Sequence, residues 1–90
     1  MSDEIDDIEA EIWERSKDFL LQRQQSYRMA LDSPEGEMAL QDLKEFCRAD
    51  QSTFHPDARM HAVLEGRREV WLRIQDHLKL DPELLWGKYR

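Results

Sequence analysis

Leu31-Asp32-Ser33-Pro34-Glu35-Gly36 decides how this chain folds. Ser33 is a good N-cap because its hydroxyl can accept from an amide in the turn that follows. Pro34 suits the first helical position, where its missing N–H is no loss, and Glu35 places a negative charge near the positive end of the new helix. One helix therefore ends at about Leu31 and another begins at Pro34. The same cap-then-proline signature recurs at Asp81-Pro82-Glu83, and Asp57 is a third cap. Strand signals are missing: there are one Thr, two Val and four Ile, and no alternating run bounded by turn pairs.

Upstream, the spacing predicts a first helix from about Asp3, capped by Ser2 or Asp3, to Leu31. Ile5, Ile8, Ile12, Phe19, Tyr27 and Ala30 follow helical steps, with Trp13, Leu20 and Leu31 widening the stripe. Between Phe19 and Tyr27 this seam turns polar, at Gln22-Arg23-Gln24-Gln25. At 1.5 Å per residue the helix is about 40 Å long, more than a small globule is wide, so its first half is expected to project. Downstream, a second helix from Pro34 to about Arg48 is expected to bury Met38, Leu40, Leu43, Phe46 and Cys47. A loop over 49–56 should anchor through Phe54. A third helix after Asp57 carries Met60, Val63, Leu64, Val70, Trp71, Ile74 and Leu78, and a short turn from Pro82 to Trp86 is closed by Gly87. The fold class is all-α: a small antiparallel helical bundle with a long N-terminal helix. The chain divides into an acidic helical arm, 1–26, and a compact helical domain, 27–90.

The 90 residues allow one domain, and a chain of that size buries only about 60–65% of its unfolded surface, which leaves stability marginal without a partner. Cys47 is the single cysteine, so no disulfide forms within the chain, and a lone thiol fits a reducing compartment. The start MSDEIDDIEAEI has neither the basic nor the apolar region of a secretion signal. No apolar run reaches the roughly 18–20 residues of a membrane span.

Thirteen Lys and Arg stand against twenty Asp and Glu, a net charge of −7. Residues 1–14 hold seven acids and no base, and the rest holds thirteen of each, so the whole imbalance lies in the arm. Such acids suit the positive end of a helix, or they make an arm that docks on a basic surface.

Chemistry-bearing patterns are sparse. His55, His61, His77, Cys47 and Glu65 match no metal-ligand spacing, so neither metal nor cofactor is expected. No glycine-flanked nucleophile or phosphate loop occurs, and Cys47 beside Phe46 has the setting of an inert thiol. No catalytic residue is assigned, and no enzyme is expected. Arg59, Arg67 and Arg68 could meet phosphates, but Glu65 and Glu69 interrupt them, which argues against nucleic acid; Arg67, Arg68 and Arg73 remain on this helix. They are better read as pairing with acids on neighbouring helices or as a second contact. Gly66, mid-helix, points to a close helix crossing, most simply against the second helix, or to an aromatic such as Phe54 lying on the bare backbone, because glycine there costs about 0.5–1 kcal/mol against alanine. Ile5, Ile8, Ile12 and Trp13 on the arm are the candidate partner-binding residues, since tryptophan is enriched at interface hot spots.

Residues Tyr27 to Trp86 carry a recognisable ordered set: Ser33-Pro34-Glu35-Gly36, Leu40-Gln41-Asp42-Leu43, Phe46-Cys47, Ser52-Thr53-Phe54, Asp57, Glu65-Gly66-Arg67-Arg68 and Leu72-Arg73-Ile74. This set resembles a short domain of small tailed-bacteriophage proteins encoded among the portal, scaffold and capsid genes, a family without an established function. The resemblance implies a virion-associated or assembly protein that binds a protein partner, the portal or head–tail region first among them, or further copies of itself. It would act in the host cytoplasm during assembly or within the virion. The alternative is a non-virion regulator that inhibits a host protein through its acidic helix. The arm lies outside the resemblance and inherits nothing from it.

Overall fold

A computed structural model describes residues 2–90, with side chains from Glu4 onward. Four helices follow in order: α1, Ser2–Leu31; α2, Pro34–Phe46; α3, Ala58–Lys79; and α4, Pro82–Tyr89. The three internal caps form as their residue types dictate. Ser33 Oγ accepts from Gly36 N at 3.0 Å, Asp57 Oδ1 from Arg59 N at 2.8 Å, and Asp81 Oδ1 from Glu83 N at 2.9 Å. The cap assigned to Ser2 or Asp3 lies outside the described side chains.

α2 stops two residues earlier than its apolar pattern suggests. Arg48 takes the left-handed conformation, φ 52°. Its N–H bonds Glu45 O at 3.1 Å and the next, Ala49 N–H, bonds Lys44 O at 3.0 Å, the paired bonds that close a helix through a left-handed residue. Glycine usually occupies that place, and here an arginine bears the cost. At the other end of the chain Gly87 does not end α4, which continues to Tyr89.

α1 touches each of the other helices. Its inward residues are Leu20 and Gln24, both buried, flanked by the half-buried Tyr27 and Leu31. Leu20 joins Leu85 and Trp86 in a small core, with Leu80 and Tyr89 packed against it. Cys47, Thr53 and Leu64 are buried separately, at the end of α2, in the following loop and in the first half of α3. α1 thus runs without interruption through residue 26 and is tied to the rest of the body from Trp13 on.

The molecule is a single layer. Its extents are 57 × 36 × 15 Å, and its radius of gyration is 17.7 Å where a compact chain of this length has about 12 Å. A thickness of 15 Å is little more than one helix with its side chains. A single layer has no second face to bury against, so fourteen large apolar side chains are exposed and only five are buried among the described residues. Met38, Phe46 and Phe54, expected in the core, are therefore at the surface, as are Met60, Val63 and Val70. Trp71, Ile74 and Leu78 are half-buried. The loop is anchored by Thr53 instead of Phe54: the Thr53 hydroxyl donates to the Glu65 carboxylate, and His61 Nδ1–H donates to Thr53 O at 3.0 Å.

The helix crossing expected at Gly66 is at Gly36. A methyl group on Gly66 would meet nothing within 4 Å, while one on Gly36 would lie 2.2 Å from the Leu31 carbonyl oxygen. The turn between α1 and α2 brings that backbone onto Gly36, and backbone cannot step aside. Gly36→Ala should lower thermal stability and urea midpoint by about 1–3 kcal/mol, the cost of overpacking, and Gly66→Ala should raise it by about 0.5–1 kcal/mol. Arg48→Gly, relieving the left-handed residue, should raise it by up to about 1 kcal/mol. Equilibrium urea unfolding of the three variants checks all of these.

Candidate docking surface

Ile5, Ile8, Ile12 and Phe19 recur at helical spacing along one side of α1, and each is more than half exposed, from 56% to 68%. Phe19 and Leu20 are adjacent, so this stripe lies about 100° around the helix from the side that enters the core. Ile5, Ile8 and Ile12 are open to solvent, and Phe19 borders the groove toward α4. Asp6, Asp7, Glu9, Glu11 and Glu14 flank the stripe, all exposed.

Trp13 belongs to a different side. Its ring meets Trp86 of α4 edge-on, with centroids 5.1 Å apart and planes at 85°, and the Arg90 guanidinium lies 5.7 Å from the Trp13 ring centre. It remains 48% exposed. Edge-to-face aromatic pairs are worth about 0.5–1.5 kcal/mol beyond their burial, so Trp13 fastens the middle of α1 to the end of the chain. Lys17 Nζ, one turn on, bonds Glu83 Oε1 at 2.8 Å. Between α1 and α4 an open groove of about 480 Å³ follows, lined by Trp13, Arg15, Phe19, Arg23, Trp86 and Arg90 among others.

The polar interruption of the α1 seam has a definite target. Gln24 Nε2 donates to Leu80 O at 2.7 Å, Arg28 Nη2 donates to the same oxygen at 2.9 Å, and Arg23 Nε donates to His77 Nε2 at 3.0 Å. The C-terminal end of α3 is thus satisfied by side chains of α1.

His77 could pass for a catalytic imidazole, but it is wholly buried and both ring nitrogens are engaged. Nε2 accepts from Arg23, so Nδ1 carries the hydrogen and donates to Arg73 O at 2.8 Å. Tyr27 stacks on the ring at 4.4 Å, and Tyr89 closes the other side at 5.2 Å. Burial holds its pKa below the ordinary imidazole value. The bond to the Arg73 carbonyl opposes that shift, and the charges of Arg23 and Arg73 reinforce it. Beside it, Asp76 accepts from Tyr89 Oη at 2.8 Å and pairs with Lys88 Nζ at 2.6 Å. Burial pushes the Asp76 carboxyl up, but these two hydrogen bonds more than offset it and hold the group below the usual carboxylate value.

Arg67, Arg68 and Arg73 do not form one patch. The Arg67 guanidinium lies 4.3 Å above the Phe46 ring, Arg68 Nη1 donates to Gln51 O at 3.0 Å, and Arg73 lies 5.0 Å from the Tyr89 ring centre. None of the three makes an ion pair with an acid among the described residues, so aromatic faces and a backbone carbonyl replace the carboxylates expected from the sequence. Gly66 is exposed and open. No group of three or more potential metal ligands occurs among the described residues, and no helix there is long and apolar enough to cross a membrane.

These features define a small all-α protein whose apolar faces lie largely outside its core. Residues 27–88 match the family described as Bbp19-like phage protein, and the chain belongs to that family. No curated protein and no solved structure matches it. The first 26 residues, with the Ile5–Ile8–Ile12 stripe, precede the matched region.

The protonation state of His77 sets a pH dependence. Its folded pKa is lowered, so the unfolded chain takes up a proton first. The stabilisation is complete above the unfolded value of 6.5 and is lost as pH falls from there toward the lower folded value. Stability should drop with a slope of at most about 1.4 kcal/mol per pH unit in that window. Asp76 acts in the same direction, but only at and below the carboxylate range, where its protonation removes its two bonds. In urea unfolding from pH 7.5 to 5, the drop should appear in the parent protein and flatten in His77→Gln. An equal drop in both would place the effect on other groups.

Proposed function

We propose that this phage protein is a non-enzymatic assembly or virion-associated structural protein that docks on a larger virion component through its N-terminal helix. The observation that supports this most is the Ile5–Ile8–Ile12 stripe, exposed on a helix whose other side is held in the body. An amphipathic helix offers such a stripe to an apolar groove, and its flanking acids select a basic rim. Trp13, partly covered by Trp86, sits where the arm leaves the body and would mark the edge of the contact. The portal or a neighbouring head–tail component is the first partner to test, given the genes among which the similar domains are encoded. The protein would then act in the host cytoplasm during assembly and stay in the particle if the contact persists.

The concentration of seven acids and no base in residues 1–14 favours a second reading, a non-virion regulator that occupies a basic surface of a host protein. Mass spectrometry of purified virions and of head intermediates separates the two. The docking reading expects the protein in one or both, and expects a variant carrying Ile5→Asp, Ile8→Asp and Ile12→Asp to be lost from them at least about tenfold, while keeping its helical circular dichroism. A protein absent from every particle would overturn the docking reading and leave the host-directed one.

A further inference from the structure

The charges along α1 are segregated. Residues 2–14 hold seven acids and no base, while residues 15–31 hold Arg15, Lys17, Arg23 and Arg28 against Asp18 alone, four minus one, or +3; Lys17 is paired with Glu83 and Arg28 is turned to Leu80, so the charge on the open side comes from Arg15 and Arg23, with Arg90 beside them. The apolar stripe runs through both halves, with Ile5, Ile8 and Ile12 in the acidic one and Phe19 in the basic one. The groove beside the basic half is lined by Trp13, Phe19, Trp86, Arg15, Arg23 and Arg90, and by no acid. The arm of the same chain cannot enter it, because arm and groove wall are one continuous helix.

From this juxtaposition we infer that the free protein is a two-fold dimer in which the α1 helices of two copies pair antiparallel, each acidic arm lying along the basic half and groove of its partner. A helix that is acidic at one end, basic at the other and apolar along one side complements an inverted copy of itself, so the two copies use the same surface in opposite directions. With the axis between Trp13 and Glu14, Ile8 of one copy comes opposite Phe19 of the other, and Ile12 opposite the stem of Arg15. A parallel pairing would set seven acids against seven acids, which repel. Arg15 is available for the contact: its present partner is Glu11, at 3.0 Å on the exposed surface of the same helix, a pair that contributes little. A second layer made of the same chain also covers the face that a single layer leaves open.

The pairing goes beyond the docking reading but uses the same stripe, so a docked copy would have exchanged its second copy for the virion partner: the mass of the purified protein reads the pairing, and the presence of the parent protein in particles reads the docking. Sedimentation of the full chain across micromolar to submillimolar concentration should show a monomer–dimer equilibrium that weakens as salt is raised. Ile8→Asp and Phe19→Asp, at positions exposed within one copy, should each raise the dissociation constant at least about 100-fold with helicity unchanged, since each puts two charges into the apolar seam. Under mild oxidation Ile12→Cys, next to the axis, should link to itself. Ile5→Cys should not, because its counterpart lies about 25 Å away along the helix, but it should link to Gln22→Cys in a mixture. A monomer at all concentrations, a dimer indifferent to both aspartates, an open-ended oligomer, or self-linking of Ile5→Cys would each overturn the inference.

Discussion

The carbonyl oxygen of Leu80 is the contact that fixes how the first helix lies against the third. It closes α3, and the next residues, Asp81 and Pro82, open α4. Two side chains of α1, from Gln24 and Arg28, converge on it, and Arg23 reaches His77 one turn earlier. The first helix is thereby set against the end of the third in one register. Leu20 can then meet Leu85 and Trp86, and Trp13 can meet Trp86. Such polar contacts are specific because they are unforgiving. Each buried group that loses its partner costs about 1–3 kcal/mol, and among the described residues no buried side-chain nitrogen or oxygen is left without one. His77 contributes on the same terms, since its neutral form matches one donor, one acceptor and two aromatic faces.

A fold held by such a junction can be thin. Four helices in one layer leave their outer apolar residues uncovered, and that arrangement links structure to biology in this member of the Bbp19-like phage proteins. For a freely diffusing domain so much exposed apolar surface is a liability. For a part that works inside a larger assembly it is the surface by which the part is placed. In the proposed docking and pairing the arm would add selection: its acids would repel acidic surfaces and its own parallel alignment, and favour basic or inverted neighbours.

Local chemistry was the most legible part of the chain. Ser33, Asp57 and Asp81 cap as their types and positions announce, because a cap is a contact across two or three residues that no distant packing can reassign. Burial was harder to read. Periodicity identified Met38, Phe46, Met60, Val63 and Val70 as apolar faces but could not say what lies against them, and all five stay at the surface, with Phe46 covered only by the Arg67 guanidinium. The apolar stripe of α1 was legible on the same ground as the helix that carries it, but the separation of Trp13 from that stripe depends on α4 folding back beneath it. Gly66 stands out in the sequence for being mid-helix, while the close approach falls at Gly36, where it depends on the turn that brings the Leu31 backbone back onto α2.

By itself, the sequence determined the order of the helices and where they begin, the concentration of charge in the arm and the stripe that runs along it, because capping, helix propensity and net charge act over a few residues. Only the tertiary structure decided that Gln22-Arg23-Gln24-Gln25 is a junction and not a gap in the seam. Only it showed that the arginines of α3 rest on Phe46, Tyr89 and a backbone carbonyl, that Thr53 and not Phe54 anchors the loop, and that His77 is sealed instead of reactive. Each of those outcomes depends on which distant group arrives within about 3 Å of a polar atom, the range over which a hydrogen bond acts. Such an encounter exists only once the helices are side by side.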